Sequence, residues 1–135
     1  MRIEFEFPYD TRLSKNVWHV ITGASGNKWD AFVDEPAPKG RAVINAPVAT
    51  KLMGDVQLMA RGQVNKYELE FKPIKTWVHI KVFKPDMKLD PCNVIGMIVD
   101  GIKRGIGIDD NLYAGSWDWE LVTDESERIE IVVEQ

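Results

Sequence analysis

The sequence predicts an α+β fold, a single domain spanning residues 1–135 in which a mixed sheet carries two main helices on one face and ends in a C-terminal β-hairpin. Three observations predict it. Segments at both ends and in the middle of the chain alternate apolar and polar residues, and two others repeat apolar residues at helical spacing. The segments follow one another as strand, strand, helix, strand, helix, hairpin, an order that segregates helices to one side of a sheet.

A chain of 135 residues is long enough to bury its own core, at roughly 65–70% of the surface its unfolded form exposes. The 44% hydrophobic and 28% charged residues are those of an ordinary globular protein, with neither repeats nor low-complexity tracts. Cys92 is the only cysteine, which excludes a disulfide framework and a multi-thiolate zinc site and makes a reducing, cytoplasmic setting the expectation. No apolar run reaches the ~18 residues of a membrane span, and "MRIEFEFPYD" lacks the pattern of a signal peptide.

The elements follow in order. "RIEFEF" (2–7) sets Ile3, Phe5 and Phe7 against Arg2, Glu4 and Glu6, as in a half-buried strand, and Pro8 ends it. "NVWHVI" (16–21) is a second strand by its β-branched and aromatic content; "TGASGNKW" then reads as a turn or mobile loop and "DEPAPKGR" (34–41) as another loop. From Asn45 the period changes: Pro47 suits a first helical turn, Val48, Leu52, Val56 and Met59 recur at helical spacing, and Gly62 is the expected stop. "KYELEF" (66–71) alternates, but Pro73 interrupts its continuity with "KTWVHIKVFKP" (75–85). In the latter, Thr76, Val78, Ile80 and Val82 form a core face. The opposite face mixes Lys75, His79 and Lys81 with Trp77 and Phe83, which suits either phosphates and bases or packing under a helix. "SWDWELV" and "RIEIVV" flank "TDESE" as the arms of the hairpin, with Trp117 and Trp119 on one strand face in the core or a dimer interface.

The second helix lies in "KLDPCNVIGMIVDGIKRGIGIDD" (88–110). Asp90 is placed to cap it, Pro91 suits its first position and Gly105 its end. Pro91, Ile95, Ile98 and Ile102 share the stripe facing the sheet, while Asn93, Gly96 and Asp100 share the opposite face beside Lys103 and Arg104. "IGI" then delivers Asp109 and Asp110, which can approach Asp90 if the segment folds back along the helix. Carboxylates brought together in this way suit magnesium, which takes hard oxygen ligands and commonly uses one or two protein carboxylates. The same residues also read as a plain helix cap and a strand-terminating turn.

Net charge is -4, but it is segregated. Residues 109–135 hold nine acidic side chains against Arg128, while residues 1–108 carry a basic excess in which Lys72, Lys75, Lys81, Lys84 and Lys88 lie close in sequence. A local basic stripe facing nucleic acid and a lysine-guarded strand edge both fit.

The succession "D-P-C-N", "D-G-I" and "DD" resembles the motif of the RusA family of Holliday junction resolvases, common in bacteriophages and prophages. Asp90, Asn93, Asp100, Gly101, Asp109 and Asp110 match it in order, and "LSKNVWHV" (13–20) is similar to the family's N-terminal segment, with Ser14 and Asn16 in place. The similarity covers residues 84–112. It implies a homodimeric, magnesium-dependent endonuclease, with manganese able to substitute, that nicks four-way and other branched DNA in recombination and repair. Carried over by position, Asp90, Asp109 and Asp110 are the catalytic, metal-binding carboxylates and Asp100 has a structural hydrogen-bonding role. The expected DNA-contacting residues are Lys15, Asn16, Lys84, Lys88, Asn93, Lys103 and Arg104. Two positions depart from the pattern: Cys92 stands where a second aspartate is usual and Gly96 where a lysine is usual. Cysteine is a soft ligand ill suited to magnesium, so the alternative is a non-catalytic junction- or DNA-binding accessory protein of the same fold. A third reading, a protein-interaction domain, rests on the acidic C-terminal segment alone.

Overall fold

The computed structural model describes residues 1–8, 18–22, 27–30, 41–45, 47–87, 92–123 and 126–135, with side chains at 1–8, 50–87, 94–123 and 126–135. The elements are β1 (Arg2–Pro8), β2 (Trp18–Thr22), β3 (Asn27–Asp30), β4 (Arg41–Asn45), α1 (Pro47–Lys66), β5 (Thr76–Lys84), α2 (Cys92–Ile106), β6 (Tyr113–Leu121) and β7 (Arg128–Glu134). They form an α+β domain with a mixed four-stranded sheet ordered β1-β7-β5-β6 and a separate antiparallel sheet ordered β3-β2-β4.

Alternation along the strands makes one face of the larger sheet apolar. Ile3, Phe5 and Phe7 on β1 stand opposite Val133, Ile131 and Ile129 on β7, which in turn stand opposite Val78, Ile80 and Val82 on β5. All nine are buried in one cluster with Leu52, Met53, Val56 and Ala60 of α1 and Val94, Met97, Ile98 and Ile102 of α2. Both helices therefore cover the same face of the sheet, as predicted.

The helices approach closely because α2 carries glycine at two successive turns. A methyl at Gly101 would lie 2.7 Å from the Val56 Cβ, and one at Gly105 would lie 2.7 Å from the Ala60 Cβ and 2.9 Å from the Gln57 carbonyl oxygen. Gly105 is thus a packing residue and not the expected helix stop. α2 runs on to Ile106, and Gly107 turns the chain with φ 77° while its amide donates to the Lys103 carbonyl oxygen. Gly62 likewise does not stop α1, because the apolar stripe continues through it to Val64. The true end is a Schellman cap. Glu68 takes the left-handed conformation (φ 51°), its amide donates to the Asn65 carbonyl (3.3 Å), and the Leu69 amide donates to that of Val64 (2.9 Å).

Other boundaries shift as well. Asn27–Asp30, which begins inside the stretch 22–29 read as a turn, is a strand paired with β2, and Arg41–Asn45, not anticipated as a strand, pairs with the other side of β2. In α2, Ile98 and Ile102 are buried as expected and Ile95 is half-buried; Asp90 and Pro91 lie outside the described residues.

The C-terminal strands exist but do not form a hydrogen-bonded hairpin. β5 lies between them, parallel to β6 and antiparallel to β7. α2 supplies the crossover that a parallel β5–β6 pair requires. β6 is consequently left at the edge of its sheet.

Candidate metal and nucleic-acid site

The Asp109–Asp110 doublet is held in place from both sides. On one side, the turn at Gly107 and the buried Ile108 side chain pin the chain to the core as it leaves α2. On the other, the Leu112 amide donates to the Asp109 carbonyl (3.1 Å) to close a 3₁₀ turn over Asp110–Leu112, and the Tyr113 hydroxyl donates to the Ile108 carbonyl (3.0 Å). Burial, together with the negative charges of Asp110 and Asp109, raises the Tyr113 hydroxyl well above its ordinary pKa, so this anchor stays protonated and donating.

Lys103, one turn before the end of α2, reaches across to the doublet. Its Nζ lies 2.9 Å from the Asp109 Oδ1 and 3.1 Å from the Asp110 Oδ1. The hydrogen bond to Asp109, then that to Asp110, raises the Lys103 pKa, while the bond from Lys103, followed by one involving Asp110, lowers that of Asp109. The result is one cation shared by two carboxylate oxygens on a partly exposed surface.

The other site residues expected from the sequence fall as follows. Asp90, Lys88, Lys15 and Asn16 lie outside the described residues, and Cys92 and Asn93 are described only as backbone in the first turn of α2. Asp100 is exposed and makes no hydrogen bond or ion pair among the described residues, so its expected structural role finds no partner there. Gly96 and Arg104 are exposed on the same side of α2, and the Arg104 carbonyl accepts a hydrogen bond from the Arg61 Nη2 at 3.3 Å. Lys103, with its side chain 42% exposed, is engaged by the doublet.

Lys84 is a correction. It is only 2% exposed, with its ammonium 4.1 Å over the Trp119 ring, and so cannot present its charge to DNA. The cause is strand parity, since Lys84 shares the core-facing side of β5 with Thr76, Val78, Ile80 and Val82.

Hard oxygen donors of the doublet fit a divalent ion, and their common approach to one ammonium shows that both reach a single cation. No third His, Cys, Asp or Glu joins them in a metal-holding group among the described residues. Lys103 is eleven residues beyond Cys92, about 16 Å along the helix axis. A carboxylate from the segment preceding α2 must therefore run back along the helix to reach the doublet.

The sheet face away from the helices does not form a basic stripe. Lys81 lies 3.1 Å from Glu120, and Arg128 bonds Glu130 at 2.9 Å, approaches Glu6 at 3.6 Å and covers the Phe83 ring. Lys81 and Arg128 are thus matched by carboxylates, Lys75 lies 4.3 Å over the Trp77 ring, and the face as a whole is acidic. Ser116, His79 and Glu134 line up across β6, β5 and β7, with 3.1 Å between the Ser116 Oγ and the His79 Nδ1 and 3.7 Å between the His79 Nε2 and Glu134. This is the residue order of a nucleophilic triad on a solvated sheet surface, lacking the water-excluded, donor-lined recess in which such a triad works.

Comparison with family models, with curated proteins and with solved structures gave no match.

Proposed function

We propose that the protein is a structure-selective, magnesium-dependent endodeoxyribonuclease that nicks four-way and other branched DNA, acting as a homodimer. The observation that carries this reading is the fixed Asp109–Asp110 doublet, two hard carboxylates within reach of one cation at the end of the helix that bears the Asn93–Asp100 motif. Asp109 and Asp110 hold the ion, and Asp90, the further carboxylate of the motif, lies outside the described residues. When bound, the ion offsets the repulsion between the carboxylates and polarises the scissile phosphate. Lys103, displaced from between the carboxylates, is then positioned to pair with a DNA phosphate. Arg104 adds a second cation on the same side of the helix. Tyr113 and Gly107 keep the doublet from turning away.

One observation favours a second reading, that of a non-catalytic junction-binding protein. The ammonium of Lys103 already satisfies both carboxylates, and Cys92 and Gly96 remove a carboxylate and a cation from the motif.

Cleavage of a synthetic four-way junction with magnesium separates the two. Under the nuclease reading the wild type nicks the junction, and Asp90→Asn and Asp110→Asn each lose at least about 100-fold, in line with removal of a principal electrostatic group from an active site. The double variant Cys92→Asp/Gly96→Lys gains activity. Junction binding that is insensitive to magnesium, with no nicking by the wild type or the double variant, supports the accessory reading. Equal nicking by wild type and Asp90→Asn rules out the proposed metal site.

A further inference from the structure

β6 is a long strand with nothing laid against it among the described residues. Its only strand neighbour is β5, and from Gly115 to Leu121 every residue is exposed. The side of β6 that continues the core face carries Trp117, Trp119 and Leu121, which are 46%, 39% and 48% exposed. Beside them a groove opens between β6 and α2, lined by Gly115, Trp117, Val78, Ile95 and Val99. A nine-residue edge strand with two exposed tryptophans, no proline and no lysine keeps only Asp118 and Glu120, both on the face away from the helices, as charged protection against pairing with another strand.

We propose that this edge pairs with the same strand of a second copy of the chain, antiparallel about a two-fold axis through Trp117. Joining the two copies continues each four-stranded sheet into one of eight strands, with the helices of both copies on the same face. A two-fold axis perpendicular to the sheet preserves the faces only when a residue, and not a gap between residues, lies on the axis. Trp117 is the midpoint of Tyr113–Leu121, so only the register centred on it pairs all nine residues.

That register is also chemically self-complementary. On the helix side, Trp117 faces the partner's Trp117, Leu121 faces the partner's Tyr113, and Trp119 lies over the partner's Gly115, at the mouth of the groove beside α2. Gly115 is required there independently, because a methyl would overlap the Val78 carbonyl oxygen. On the opposite side, Asp118 faces the partner's Ser116 and Glu120 faces the partner's Ala114, so no acid meets an acid. Shifting the centre by one residue to Asp118 opposes the two Asp118 carboxylates, which like-charge repulsion disfavours. The acidic residues beside the tryptophans likewise disfavour DNA as the occupant.

This inference rests on the homodimer of the proposed function and names its interface, apart from the metal site. Sedimentation of the full chain without DNA or metal measures it, and failure of the metal site would leave the result unchanged. The wild type is expected to be dimeric at micromolar concentration, and Trp117→Glu monomeric with an unchanged far-ultraviolet circular dichroism spectrum. Two milder variants that leave the apolar row untouched test the register. Ser116→Lys faces the partner's Asp118 and tightens the dimer, while Ser116→Asp weakens it, each by roughly 2- to 30-fold for two symmetry-related pairs. In a Cys92→Ser background, Trp117→Cys cross-links across the axis on oxidation and Asp118→Cys does not. A monomeric wild type, a dimer indifferent to Trp117→Glu, or cross-linking at position 118 in preference to 117 would overturn the proposal. So would a monomer whose tryptophan fluorescence responds only to added branched DNA, since that assigns the row to base stacking.

Discussion

Lys103 decides what the acidic doublet can do. Its bonds to Asp109 and Asp110 make it both a clamp on the turn and the group a metal ion must displace. Asp109 has a depressed pKa, so its contribution is present above the ordinary value of 3.8 and is lost as pH falls through the lower folded value. Lys103 has a raised pKa, so its contribution is present below the ordinary value of 10.5 and is lost as pH rises through the higher folded value. Thermal melts of wild type and Lys103→Met should therefore differ most between these limits and converge outside them. Added salt should reduce the difference, because the groups are solvent-screened. Manganese titration of the same variant is expected to show tighter binding if the doublet is a metal site, and no change if it is only a clamp. The doublet was legible as a pair of adjacent aspartates, whereas the clamp was not, since Lys103 read equally well as a phosphate contact. Lys84 was misread even though the signal was available: four core residues at even positions of the same strand place a fifth even position inside.

At the level of elements, the two helices and most strands follow directly from periodicity, and the errors cluster where tertiary contact overrides a local signal. Gly105 has the composition of a helix end but sits on Ala60, a packing fact that no window of sequence contains. Gly105→Ala is therefore expected to destabilise by about 1–3 kcal/mol through overpacking. Gly96→Ala, whose methyl meets nothing within 4 Å, should instead stabilise by about 1 kcal/mol through helix propensity. Urea denaturation of the two variants measures this opposition, and similar signs for both would contradict the helix contact described. The C-terminal hairpin was expected because neighbouring strands usually pair. β5 stands between them instead, with α2 as the crossover that lets β6 pair parallel to it. Strands β3 and β4 were missed because short segments beside glycine and proline carry little periodic signal.

Across the whole molecule, the α+β class and the one-sided placement of the helices were legible, and segregated charge was the main guide to a partner. The structure modifies that guide, since Lys81 and Arg128 of the open sheet face are matched by carboxylates and Lys84 is buried. Under the proposed function, phosphate contact then comes chiefly from the exposed side of α2, where Arg104 lies. Junction affinity is expected to fall as salt is raised, and Arg104→Ala should reduce the slope of log affinity against log salt by about 1. Lys81→Ala should leave it unchanged. Fluorescence anisotropy with a labelled junction measures both, and a slope altered by Lys81→Ala but not by Arg104→Ala would place DNA on the opposite face. Among the described residues no helix is long and apolar enough to cross a membrane.

The cap that ends α1 holds an unused reserve of heat tolerance. Glu68 occupies a backbone shape that favours glycine, at a cost of about 1–2 kcal/mol for a residue with a side chain. Glu68→Gly relieves that cost and, even after the extra freedom it gives the unfolded chain, is expected to move the calorimetric midpoint upward by a few degrees. A version hardened in this way, far in sequence from the acidic doublet and from the open strand, would be a sturdier background for every other substitution named above.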